Sequence, residues 1–167
     1  MNMTHYMELL AVNQPWNLLL FMAVPVVLAE TVAISELRLL HTRVYQGPVR
    51  TLNRAASILG GVYFAGVFVY LTINAVVPLT TGGGWRGPAD VIAVASYLAG
   101  IVPLGGIALI DLGLIAEDRD EHARMGLHAA LVGVFLVVAH IAMIFGMMDP
   151  TLLMAGGAAP MGGHMGH

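Results

Sequence analysis

The chain has no cysteine and no lysine, and only 10% of its 167 residues are charged. The missing cysteine excludes disulfides, thiolate metal sites and cysteine-ligated iron–sulfur clusters. The missing lysine leaves every positive charge on an arginine. The scarcity of charge excludes an ordinary soluble domain, in which about a quarter of the residues are charged. Nucleophilic hydrolase, nucleotide-binding and nucleic-acid motifs are absent, so nothing points to an enzyme or to a nucleic acid partner. Gly82-Gly83-Gly84 follows no strand and precedes no Lys-Ser/Thr pair, so it is not a phosphate loop.

What is present is apolar. The chain is 58% hydrophobic, with a mean hydropathy of +0.82. The excess lies in four runs, 16–40, 55–77, 91–116 and 127–148. Each reaches the roughly 20 residues that a helix needs to cross a bilayer core. The runs do not alternate with period two, which argues against a membrane barrel. The expectation is an all-α protein, a four-helix up-and-down transmembrane bundle over 1–150. A flexible Met-, His- and Gly-rich tail follows over 151–167. Residues 1–15 hold no arginine and no cleavage-like site, so the first span is expected to be retained.

The arginines orient the bundle. Arg38, Arg43, Arg50 and Arg54 surround the first connection, Arg119 and Arg124 lie in the third, and only Arg86 lies in the second. Alternating spans place six of the seven on one side. The positive-inside rule makes that side cytoplasmic and both termini external. Tyr6, Trp16 and Trp85 then sit where interfacial aromatics are expected. This reading is of a multi-pass protein of a bacterial inner (cytoplasmic) membrane, with the lipid bilayer as its first partner.

Turn chemistry separates the spans. Gln46-Gly47-Pro48 breaks the first connection, Gly87-Pro88 ends the second with Asp90 as a candidate helix cap, and 117–122 is a charged loop. Pro25 and Pro103 should bend the first and third spans. The two hairpins also share a faint repeat. Val24-Pro25, Glu36-Leu37 and Gly66-Val67-Phe68 in the first answer to Val102-Pro103, Asp111-Leu112 and Gly133-Val134-Phe135 in the second. Chance likeness of apolar segments is the alternative.

Ionisable groups within spans are costly and normally face inward with a partner. The candidates are Glu30, Glu36 and His41 on the first span, Tyr63 on the second, Asp111 on the third, and His128 and His140 on the fourth. At 1.5 Å per residue, Glu30 lies roughly 15 Å from the cytoplasmic end of its span and is the leading candidate. It is expected to face inward and couple to His140 or His128, or to accept from Tyr63. Glu36, His41 and Asp111 fall nearer the headgroups and could be merely interfacial. A carboxylate and a histidine together suit a proton relay or a cation site.

The tails carry a second pattern. His5 near the start, and Met161, His164, Met165 and His167 at the end, are soft-to-borderline ligands that suit copper. Chance enrichment in a small-residue tail is the alternative.

The segments Asn13-Gln14-Pro15-Trp16-Asn17, Gly84-Trp85-Arg86-Gly87-Pro88-Ala89-Asp90, Pro103-Leu104-Gly105-Gly106-Ile107 and Ala139-His140-Ile141-Ala142-Met143 resemble a family of small bacterial membrane proteins of unknown function. Its members are often labelled permease. The resemblance implies the four-helix fold and supplies no site residues. The functional expectation is a permease-like protein handling protons or metal cations (copper) through an intramembrane Glu/His site, as a homo-oligomer or a subunit of a membrane complex. The alternatives are a redox subunit holding a b-type haem between His41 and His128, or a copper-handling accessory subunit.

Overall fold

The computed structural model describes residues 3–150. Its four long helices are α2 (Trp16–Thr42), α3 (Pro48–Thr81), α4 (Pro88–Asp111) and α5 (Glu121–Met147). Each packs on its neighbour in chain order, and α5 closes the bundle against α2. This is the expected four-helix up-and-down bundle. Its outer face is apolar, with Ile34, Leu37 and Val102 about 70% exposed (68%, 70% and 70%). Water would not tolerate that surface over the full length of four helices, whereas lipid requires it. The protein is a multi-pass membrane protein.

Helix boundaries follow local chemistry. Arg43 adopts the left-handed conformation and ends α2, while Gly47 at φ 93° leads into Pro48 at the start of α3. The Asp120 carboxylate caps α5 by accepting from the Ala123 amide. The third span stops at Asp111, five residues before the apolar run does. Gly113 and Ala116, both at positive φ, turn the chain out of the helix there. The second span starts earlier than hydropathy indicates, because Arg50, Asn53 and Arg54 continue the helix beyond its apolar part.

A short amphipathic helix, α1 (His5–Ala11), precedes the first span. Hydropathy does not reveal it. It lies across the end of the bundle opposite the arginine-rich end, and several contacts hold it there. The Thr4 hydroxyl donates to the Gly146 carbonyl at 2.7 Å. Arg86 pairs with Glu8. The His5 amide and Nδ1 donate to the two oxygens of Asp90, at 2.6 and 2.5 Å. Asp90 is therefore not the cap of α4. It lies in the helix's first turn, fully buried, and receives the Arg86 amide as well.

Two π-helical turns, Leu19–Ala23 in α2 and Thr72–Val76 in α3, each end two residues before a proline, Pro25 and Pro78. Proline brings no amide hydrogen, so carbonyls one turn back lose their donor. In α2 two tyrosines supply it. Tyr63 donates to Leu20 O at 2.9 Å and Tyr97 to Phe21 O at 2.5 Å. α4 is interrupted at Gly100, where a side chain would press tightly on Phe64 and Phe135.

Candidate functional site

All four spans contribute to one buried polar layer near the arginine-rich end. It is built by helical period. On α3, Arg50, Asn53 and Ser57 stand at i, i+3 and i+7, and so share a face. That face meets Ser35 and Glu36 of α2, Asp111 of α4 and His128 of α5. Glu36, Asn53, Ser57, Asp111 and His128 are each no more than 2% exposed.

His128 is the centre. Its Nδ1 lies 2.9 Å from Glu36 Oε1, and its Nε2 faces Asp111 Oδ1 at 3.7 Å. The second separation exceeds a hydrogen bond, and Nε2 has no other partner among the described residues. Asp111 is anchored from its other side. Arg50 Nη2 donates to Oδ1 at 2.7 Å, and the Ser57 hydroxyl donates to Oδ2. Arg50 also donates to Asn53 Oδ1 at 2.9 Å. The Asn53 amide in turn donates to Ser35 Oγ at 2.9 Å.

The layer opens at one end and is closed at the other. Toward the arginine-rich end, a pocket of about 510 Å³ is lined by Asp111, Arg50, Glu121 and Arg124. There Arg50 Nε reaches Glu121 at 3.4 Å, and Arg124 donates to Ile110 O at 2.8 Å. Toward α1, the next layer is dry, formed by Val32, Ala56, Ile107 and Val132. Three of these lie one helical turn from Glu36, Asp111 and His128.

The structure distributes the sequence candidates as follows. Glu36, Asp111 and His128 come together in the bundle interior, each no more than 2% exposed. Glu30 does not join them. It is exposed, with no hydrogen bond or ion pair among the described residues, and it lines a groove between α2 and α5 that His140 also lines. The pairing of a first-span carboxylate with a fourth-span histidine thus falls on Glu36 and His128, six residues further along α2 than expected. Tyr63 serves the Leu20 carbonyl and not a carboxylate. His41 is exposed. Both ring nitrogens of His128 face carboxylates, so the structure does not bring together the His41–His128 pair of the alternative haem reading.

Among the metal candidates, His5 is engaged by Asp90. Met161, His164, Met165 and His167 lie outside the described residues. Among the described residues, no group of three or more His, Asp and Glu is placed to hold a metal ion.

Arg50, Asn53, Ser57 and Ser35 were missed as site residues. A signal was present for those on α3: Arg50, Asn53 and Ser57 recur on one face at i, i+3 and i+7. The faint repeat also gains meaning, since its matched acidic residues, Glu36 and Asp111, flank the two sides of one imidazole.

A model of the family of unknown function DUF6803 matches residues 1–162. No curated protein matches the chain. No solved structure matches it either.

Proposed function

The chain belongs to this family, DUF6803, whose function is unknown, and from that premise we propose a permease-like membrane protein that takes up and passes on protons through Asp111, His128 and Glu36. The observation that carries this reading is the buried carboxylate–imidazole–carboxylate chain, with one link made at 2.9 Å and one open at 3.7 Å.

Imidazole suits the task because it can gain a proton at one nitrogen while losing one from the other. Asp111 is the member of the chain that lines the open pocket, its carboxylate covered there by Arg50, so protons enter from that side when Arg50 shifts. A small tilt of the His128 ring would bring Nε2 within hydrogen-bonding distance of Asp111. A proton accepted there is balanced by one released from Nδ1 to Glu36. Arg50 and Ser57 hold the Asp111 carboxylate in place. Arg50 compensates the charge of Asp111. The dry layer of Val32, Ala56, Ile107 and Val132 stops the proton at Glu36 until the helices rearrange. On this reading the arginine-rich end is cytoplasmic, in accord with the positive-inside rule.

The test uses purified protein in liposomes that carry an entrapped pH dye and an imposed pH difference. Wild type should dissipate the difference faster than protein-free liposomes. Glu36→Gln and Asp111→Asn, which keep shape and remove charge, should each slow it at least tenfold while remaining folded. Wild-type flux at the protein-free rate, or variants as fast as wild type, would contradict the proposal.

A further inference from the structure

The groove between α2 and α5 contains two ionisable groups that the polar layer does not use. Glu30 and His140 line it, both exposed, within a cavity of about 290 Å³. Its remaining wall is apolar and aromatic, with Phe21, Phe135, Tyr97 and Met143 among the lining residues. Glu30 sits about 9 Å along α2 from Glu36, on the other side of the dry layer. A carboxylate left open to hydrocarbon at that depth is expensive, so its environment calls for a compensating partner.

The chemistry of that partner follows from hydrogen-bonding capacity. Nδ1 of His140 lies 2.6 Å from the carbonyl oxygen of Leu136, one turn earlier on α5. A carbonyl can only accept, so Nδ1 carries the proton and Nε2 of the neutral ring keeps its lone pair. An ionised Glu30 is likewise an acceptor only. With Glu30 ionised and the His140 ring uncharged, the groove offers two acceptors, one of them anionic, on an aromatic, lipid-accessible wall. An anion or a second acceptor is mismatched there. A donor bearing positive charge is matched, by ion pairing with Glu30 and by attraction to aromatic faces. Entry from the side, between two helices, requires that it dissolve in lipid.

We propose that the Glu30–His140 groove binds a lipophilic protonated amine. None of its residues belongs to the Glu36–His128–Asp111 chain, so binding here stands or falls separately from proton movement there. The cavity is near the lower bound of about 300 Å³ for small-molecule sites, which fits one aromatic or alkyl amine and not a lipid with two chains.

The experiment uses the full-length protein in nanodiscs of zwitterionic lipid. The probe is dansylcadaverine, an aromatic sulfonamide with a primary alkylamine. The control is its N-acetylated form, which keeps rings and length and loses the charge. Binding is read by fluorescence after subtraction of empty nanodiscs. Wild type should bind the amine saturably and the acetylated form at least tenfold more weakly. Glu30→Gln should weaken amine binding at least tenfold, and His140→Leu about threefold. Glu30→Asp, which keeps the charge, should stay within about threefold of wild type, and unfolding midpoints should show all variants folded. No saturable binding by wild type, equal binding of the two probes, or an unaffected Glu30→Gln would overturn the proposal. So would disulfide cross-linking of Val26→Cys between two copies together with exclusion of the amine, because a second protein molecule would then occupy the groove.

Discussion

Nδ1 of His128 lies 2.9 Å from Oε1 of Glu36, and both side chains are all but sealed from the surface, at 0% and 1% exposure. Such a pair joins the first span to the last and constrains how the bundle closes. Removing one member strands the other. Glu36→Leu should therefore destabilise the protein by about 3–5 kcal/mol, and His128→Leu similarly. The double variant should recover much of the loss, since two apolar residues need no partner. Reversible unfolding in mixed detergent, read as a double-mutant cycle, checks this. Additive losses would mean that the two residues are not coupled.

The π-helical turn of α2 depends on a residue of another span. Pro25 deprives the Phe21 carbonyl of its helical donor, and the Tyr97 hydroxyl replaces it from α4 at 2.5 Å. Tyr97→Phe keeps the ring and removes only the donor. The expected cost is about 1–3 kcal/mol, that of an unsatisfied buried acceptor. Tyr70→Phe, on an exposed tyrosine of α3 that donates no hydrogen bond through its hydroxyl among the described residues, should cost nothing measurable. Equal melting temperatures for Tyr97→Phe and wild type would show that the carbonyl finds another donor.

Attachment of α1 should weaken in alkali. Burial pushes the Tyr6 phenol up from 10.0 to about 12. The folded protein thus holds this proton more tightly than the unfolded chain does. The stabilisation is fully present below about pH 10 and is lost as the pH rises through about 12. Protease cleavage within residues 3–15 should accelerate over that range. Tyr6→Phe has no proton to lose and should remove this part of the pH dependence. The same profile in both proteins would contradict the assignment.

How much of this was legible in the sequence differs by level. The four spans were, because hydropathy over twenty residues reports directly on what a bilayer demands. α1 was not, since seven residues anchored by Thr4, His5 and Glu8 owe their position to distant partners: Gly146, Asp90 and Arg86. The right residue types for the polar layer were legible, and so was the pairing of a first-span carboxylate with a fourth-span histidine. The choice between Glu30 and Glu36 was not. Depth favours Glu30, but the face of the helix decides which carboxylate turns inward, and that face is set by packing on α3 and α5. An apolar helix surrounded by lipid carries little amphipathic signal to reveal it. Arg50, Asn53 and Ser57 mark the inward face of α3 at i, i+3 and i+7.

The central claim is that Glu36 exchanges a proton within the buried layer, and infrared difference spectroscopy of the reconstituted protein tests it most directly. Spectra are recorded as the pH is lowered, for wild type and for Glu36→Gln. The account predicts a protonated-carboxyl stretching band that grows in wild type and is missing in Glu36→Gln, together with a change in the imidazole bands that His128→Leu removes. Identical difference spectra in wild type and Glu36→Gln would contradict it, and would reduce the Glu36–His128 contact to a structural tie between α2 and α5.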